Sequence, residues 1–185
     1  NDNINILVLD TQVYSNTGGQ TSKASTVGSI APFAGMGKRN YRKDLARIAM
    51  NYPNVYVAQI SLGADGMQAI KAFKEAEAFN GPAIIIAYSP CIAHGIKGGL
   101  TNSINNQNLA VTSGYFPIFR YNAQTEKFIL DSKKVDFNLY ETFLESEKRF
   151  SMLKIINHEN AEELLKINKE QAIKTYEYYK SLEKS

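Results

Sequence analysis

Apolar residues in this chain gather into three nearly unbroken runs, at 4–9, 55–62 and 83–88. Runs of that length, bounded by turn formers and lacking strict alternation, predict parallel strands covered on both faces. Between the first two, Leu45, Ile48, Ala49 and Tyr52 recur at i, i+3, i+4 and i+7, which predicts a helix over 41–51 that Pro53 stops. Met67, Ile70, Phe73 and Ala76 supply the inner face of a second helix, ended by Asn80-Gly81-Pro82. Strand–helix–strand–helix–strand at this spacing predicts parallel βαβ units with right-handed crossovers. The predicted fold class is therefore α/β, a three-layer domain on a mostly parallel sheet.

Further on, the pattern predicts a short helix over 106–113 with Gly114 as its stop. Strands at 116–121 and 127–130 flank the turn Asn122-Ala123-Gln124. A helix is expected over 137–149, and a long one from Glu159 to about Leu182. That last helix gathers Ala161, Leu164, Leu165, Asn168, Ala172, Tyr176 and Tyr179 near one side and reads as a packing arm. The implied organisation is an α/β domain over 1–121 and a C-terminal extension of strand and helices over 122–185. No internal repeat or low-complexity tract is present.

Two stretches break this regular alternation. Residues 10–37 are rich in Ser, Thr, Gly and Asn, and a loop of that length in a small domain is either functional or disordered. It begins where the first strand ends, and open α/β folds bind ligands beyond the carboxyl ends of their strands. Asp10, Thr11, Ser15, Asn16 and Thr17 offer hard oxygen donors of the kind Mg²⁺ needs for six-fold coordination. Gly18 and Gly19 permit positive φ and close approach of a phosphate. From the residues alone this is an anion and metal loop; a polar loop capping helical N–H groups would carry similar side chains. The second stretch is Ser89-Pro90-Cys91-Ile92-Ala93-His94-Gly95-Ile96-Lys97-Gly98-Gly99, predicted at the same sheet edge. A cysteine after a buried strand is ordinarily a small core hydrophobe. Here Pro90 before it and the glycines after it describe a loop instead. His94 in that loop reads as a backbone hydrogen-bonding residue more than a base, and His158 has no neighbours suggesting chemistry. Of the eleven tyrosines, Tyr14 lies inside the first loop and is expected to line the site.

Composition narrows the function classes. The 185 residues, 44% apolar and 21% charged, suit one sizeable domain with a core. A net charge of +3 with scattered basic residues gives no footprint for nucleic acid. The C-terminal lysines alternate with glutamates, as on a solvated helix face. No apolar run approaches the roughly 18 residues that cross a membrane, and no secretory pattern opens the chain. The single cysteine excludes an internal disulfide and any metal site of several cysteines completed within the chain. It fits a reducing, intracellular setting such as the cytoplasm. The chain starts at Asn1-Asp2-Asn3 without an initiator Met and enters a strand at once, so it is expected to be a piece of a longer polypeptide.

Leu9-Asp10-Thr11-Gln12-Val13-Tyr14-Ser15-Asn16-Thr17-Gly18-Gly19-Gln20-Thr21-Ser22-Lys23-Ala24 closely resembles the thiamine-diphosphate loop of pyruvate:ferredoxin (flavodoxin) oxidoreductases. Gly35-Met36-Gly37-Lys38-Arg39, Lys43-Asp44-Leu45 and Ala87-Tyr88-Ser89-Pro90-Cys91-Ile92-Ala93-His94-Gly95-Ile96 are similar to the same family. The resemblance runs from Asn3 to about Tyr121 and weakens beyond. It implies that the Thr11 hydroxyl and the Val13 carbonyl are Mg²⁺ ligands and that Asn16 contacts the cofactor's diphosphate. Ser15, Thr17 and Gly18 would shape the floor of the pocket. Relatives often carry Glu where this chain has Gln12, which should matter little to the metal, and the family does not use Asp10 as a ligand. Cys91 matches the fourth thiolate of the [4Fe–4S] cluster nearest the thiamine. The Gly-Asp-Gly half of the thiamine motif, the other three cysteines and the activating glutamate have no counterpart here, so no catalytic residue is assigned and the fragment alone should be inactive. The implied reaction of the parent enzyme, expected to be a homodimer, converts pyruvate and coenzyme A to acetyl-CoA and CO2. Its electrons pass through [4Fe–4S] clusters to ferredoxin or flavodoxin. Three alternatives stay open: another 2-oxoacid:ferredoxin oxidoreductase, a thiamine-dependent decarboxylase, which leaves Cys91 unexplained, and a non-catalytic α/β interaction domain, which leaves the metal loop unexplained.

Overall fold

The computed structural model describes residues 2–183. The chain runs through β1 (Asn5–Asp10), a small ladder of β2 (Val13–Tyr14) and β3 (Gln20–Thr21), α1 (Leu45–Ala49), β4 (Tyr56–Ile60), α2 (Gly66–Ala78), β5 (Ala83–Tyr88) and α3 (Ser103–Thr112). A hairpin of β6 (Phe119–Asn122) and β7 (Lys127–Leu130) follows, then α4 (Tyr140–Ser146), α5 (Lys148–Ser151), α6 (Leu153–Ile156) and α7 (His158–Leu182). The fold class is α/β. The sheet order is β1-β5-β4-β6-β7, the first three strands parallel and the hairpin antiparallel to them. β5 lies between two parallel partners and buries Ile85 and Ile86 on opposite faces, which is why its sequence shows no alternation.

One face of the sheet packs on α2 through Tyr56, Ala58, Ile60, Ala69, Ala72 and Ala76. The other face packs on α1, α3, α4, α5 and α7 through an aromatic core that includes Tyr88, Phe116, Phe119, Phe143 and Tyr179. The sheet thus separates two helical layers. α7 presents the predicted side: Ala161, Leu164, Asn168, Tyr176 and Tyr179 are its buried residues.

Four expectations change. β1 is parallel as predicted but forms the sheet edge, and Ile6, Leu7 and Leu9 are 46%, 50% and 66% exposed. Its apolar run anticipates cover on both faces; the described residues supply a strand partner on one side only. α2 is turned relative to the expected face, so Ala69, Ala72 and Ala76 meet the sheet while Met67, Ile70 and Phe73 face outward. Its rotation is set by polar ties: Gln68 donates to Gln59 O and Asp131, and Glu75 accepts from Arg120 at 2.6 Å. Small side chains on the inner face let the helix approach a sheet that presents Tyr56 and Ile85. α1 starts later than expected, because Asp44 caps it by accepting from Arg47 N at 3.0 Å. The helix expected over 137–149 breaks at Glu147, whose backbone is extended and bridges to Ile96.

The long polar loop is fastened down. Lys38 Nζ donates to the carbonyls of Ser22 (2.9 Å) and Ser25 (2.5 Å), and Asn168 of α7 donates to Val27 O at 2.5 Å. A Cβ on Gly37, at φ +87°, would lie 2.7 Å from Leu153, so the loop and the C-terminal helices meet backbone to side chain.

Candidate functional site

β1 delivers Asp10 and Thr11 to the carboxyl edge of the sheet. The Asp10 carboxylate is buried and accepts from Arg42 at 2.5 Å. Burial, the largest single influence, works to lower the Arg42 pKa, but Asp10 together with Tyr115, Asp44 and Tyr179 outweighs it and leaves the pKa raised. The acid nearest the strand end is therefore engaged in an ion pair with a residue far along the chain, not in a local hydrogen bond.

After Thr11 the backbone enters a left-handed conformation at Gln12 (φ +65°). A non-glycine residue adopts this region only when its surroundings impose it. Gln12 is buried; its side-chain oxygen accepts from Tyr115 at 2.5 Å and its carbonyl accepts from Ser25 Oγ at 2.5 Å. The turn brings Thr11 Oγ1 within 3.1 Å of Val13 O. Neighbouring oxygens of an octahedral Mg²⁺ shell, each about 2.1 Å from the metal, stand roughly 3 Å apart. The pair implied by the resemblance thus has the spacing of two adjacent ligands, although each now bonds the other.

Beyond Val13, the β2–β3 ladder closes a turn over Ser15–Thr17, with Gly18 and Gly19 at φ 115° and 80°. Thr17 Oγ1 donates to Gln20 Oε1 at 2.6 Å, and Gln20 Nε2 donates to Thr17 O at 2.6 Å. This knot stiffens the tip and leaves Asn16, Thr17 and Gly18 exposed at the rim, accessible to a ligand's phosphate.

The second loop lies directly against the first. Cys91 is fully buried, with its Sγ 3.3 Å from His94 Nδ1 and 3.8 Å from Ser15 Oγ. A Cβ on Gly19 would stand 2.9 Å from His94 Cε1 and 3.1 Å from Ala93 Cβ, so only glycine fits that interface without movement. Burial pushes the Cys91 thiol up, but hydrogen bonds from the His94 side chain, the backbone and Ser15 outweigh it and bring the pKa down to about 7. His94 is thus the partner of the thiol, a role more specific than the backbone support expected of it.

The structure brings Ser15, Gly19, Cys91 and His94 together and places Thr11 and Val13 one turn away. Among the described residues no three or more His, Cys, Asp or Glu side chains converge. Two contributors were not legible in the sequence. Gln12 is the anchor of the turn, and its backbone conformation has no sequence signature. Arg149, buried, donates from Nη1 to Thr11 O at 3.1 Å, from a segment read as an ordinary helix, on which its place opposite Tyr140 and Leu144 gave no signal.

No protein-family model matches the chain. Over 98% of its length it is 43% identical to a pyruvate-flavodoxin oxidoreductase of Klebsiella pneumoniae, and over 97% it is 46% identical to a pyruvate:ferredoxin oxidoreductase of Moorella thermoacetica. A pyruvate-flavodoxin oxidoreductase of Trichormus variabilis is 50% identical over 89% of the chain. The chain spans 16%, 16% and 14% of the length of these three curated relatives. The similarity therefore extends through the C-terminal helices, beyond the point at which the motif-level resemblance weakens.

Proposed function

This chain belongs with the pyruvate-flavodoxin and pyruvate:ferredoxin oxidoreductases, as the counterpart of one segment of them, and from that premise we propose that it forms part of the thiamine-diphosphate domain of such an enzyme. The observation that carries the reading is the contact of the two loops, Ser15 Oγ to Cys91 Sγ at 3.8 Å. It gives one site a place for both a diphosphate cofactor and an iron–sulfur ligand, which a plain decarboxylase or an interaction domain does not need.

In this reading Thr11 Oγ1 and Val13 O hold Mg²⁺, while Asn16 and the rim formed by Ser15, Thr17 and Gly18 receive the diphosphate. Cys91 supplies one thiolate of a [4Fe–4S] cluster, whose remaining ligands come from elsewhere in the enzyme. The thiol is covered by His94 and Ser15, so ligation replaces those two contacts. When bound, thiamine diphosphate supplies the carbanion chemistry that releases CO2 from pyruvate. The protein's part is to hold the diphosphate rigidly on the left-handed turn and to keep the cluster ligand a few ångströms from the same loop. Coenzyme A accepts the acetyl group, and ferredoxin or flavodoxin receives the electrons. In this reading the segment on its own is inactive, because a [4Fe–4S] cluster takes four ligands and this chain carries a single cysteine.

Two variants of the full-length enzyme test this. Cys91→Ala should remove the electron paramagnetic resonance signal of the nearest cluster while Mg²⁺–thiamine diphosphate still binds. Thr11→Val should weaken cofactor binding and leave that signal in place. A cluster signal that survives Cys91→Ala, or cofactor affinity untouched by Thr11→Val, overturns the corresponding half.

A further inference from the structure

The break in the helix at Glu147 puts an acid and a base, both without solvent exposure, into the wall behind the two loops. Glu147 is 0% and Arg149 2% exposed. Glu147 Oε1 accepts from Tyr88, the last residue of β5, at 2.7 Å, and Glu147 Oε2 lies 3.2 Å from Arg149 Nε. The backbone on either side is sewn to the second loop: Lys97 N donates to Ser146 O at 2.7 Å and Lys148 N to Gly95 O at 3.3 Å. On the other side, Arg149 Nη1 donates to Thr11 O at 3.1 Å, and Arg149 O accepts from Ile30 N at 2.8 Å. One four-residue clip therefore touches the candidate metal loop, the cysteine loop and the long polar loop.

A buried ion pair does not owe its place to stability. Desolvating both charges offsets most of their attraction, and apolar replacements of similar volume are often as stable or more so. This pair is also imperfectly bonded: Arg149 Nε, Arg149 Nη2 and Glu147 Oε2 find no hydrogen-bond partner of good geometry among the described residues. What such a pair does offer is a fixed position. The position it fixes is the Thr11–Gln12 peptide plane, because Thr11 O belongs to that plane and its orientation sets φ at Gln12. That left-handed φ in turn brings Val13 O to Thr11 Oγ1.

We propose that Arg149 is a positioning residue for the cofactor loop, and that Glu147 anchors it to the cysteine loop, so that the C-terminal clip sets how the two loops sit relative to each other. The inference rests on the function proposed above for Thr11 and Val13. Outer partners of metal-ligating groups typically change metal affinity about 10–100-fold when removed. Arg149 alone cannot be deleted cleanly, since Glu147 would be left buried and unpaired. The decisive variant is Glu147→Gln with Arg149→Met in the full-length enzyme, which removes both charges and keeps similar volumes.

Titrating the apoenzyme with Mg²⁺ and thiamine diphosphate, followed by calorimetry, should show affinity about 10–100-fold weaker in this double variant, with the melting temperature of the apoenzyme nearly unchanged. Arg149→Lys, which keeps a donor and a charge, should recover most of the loss. Wild-type affinity in the double variant, alongside weakened binding in Thr11→Val, overturns the positioning role and leaves the loop assignment standing. Unchanged binding in Thr11→Val as well overturns the loop assignment itself. A loss that follows a fall in melting temperature and is not recovered by Arg149→Lys shows that the pair is merely structural.

Discussion

Gly19 is the sharpest point of contact between the two loops, and replacing it with alanine perturbs two separable things. The first is the backbone: φ is +80°, and an alanine there costs about 1–2 kcal/mol. The second is space: the new methyl would lie 2.9 Å from His94 Cε1, 3.3 Å from His94 Nδ1 and 3.1 Å from Ala93 Cβ. Overpacking of this kind adds about 1–3 kcal/mol. Gly19→Ala should therefore destabilise the chain by about 2–5 kcal/mol, read by chemical denaturation. His94→Ala alone removes the imidazole's contact with Cys91 and should cost about 1 kcal/mol. In the double variant the two closest ring contacts vanish, leaving the backbone cost and the Ala93 methyl. The double variant should be at least about 1 kcal/mol more stable than the sum of the singles predicts, a coupling well above the error of such cycles. Gly35→Ala, where an added methyl meets nothing within 4 Å and φ is ordinary, is the control and should change little. Additivity of Gly19 and His94 would refute the reasoning: the glycine would then be needed for its backbone alone, and the loops would not be pressed together there.

Two further outcomes follow from the packing. Tyr115→Phe removes the 2.5 Å bond to Gln12 Oε1 and leaves a buried amide whose nitrogen already has no partner, so stability should fall by about 1–3 kcal/mol; an unchanged denaturation midpoint would show that Gln12 is not held through this hydroxyl. Leu7→Lys combined with Leu9→Lys should make the isolated chain more soluble and less self-associating by light scattering, because charged side chains blunt an apolar edge strand. Equal association of the variant and its parent would mean that β1 is not the sticky edge.

The parts of this protein that follow from local pattern were legible before folding. The runs at 4–9, 55–62 and 83–88 become β1, β4 and β5, because contiguous β-branched and aliphatic residues suit strands whatever lies beside them. The inner side of α7 was legible for a similar reason: its apolar positions recur over many turns, and a long periodic signal averages out exceptions. The junction after β1 was legible as a loop rich in oxygen donors and glycines, and the pairing of its sequence with one family came from the specificity of the motif. α2 was misjudged because hydrophobicity was equated with burial. In the structure three alanines do the packing, and polar ties from Gln68 and Glu75 decide the rotation.

What the sequence determined by itself is therefore the set of elements, the α/β class and the location of two chemically marked loops, all properties of residues close together along the chain. What only the tertiary structure decided is how those loops meet. The contact of Ser15 with Cys91 spans 76 positions, and that of Arg149 with Thr11 spans 138. No local preference encodes such pairs; they arise because a parallel sheet delivers successive strand ends to one edge and the C-terminal segment returns across it. The same holds for Glu147, whose neighbours favour helix until the backbone of the cysteine loop offers it a partner. β1 shows the reverse case: its sequence is that of a buried strand, and only the sheet order reveals that one of its edges has no strand beside it among the described residues.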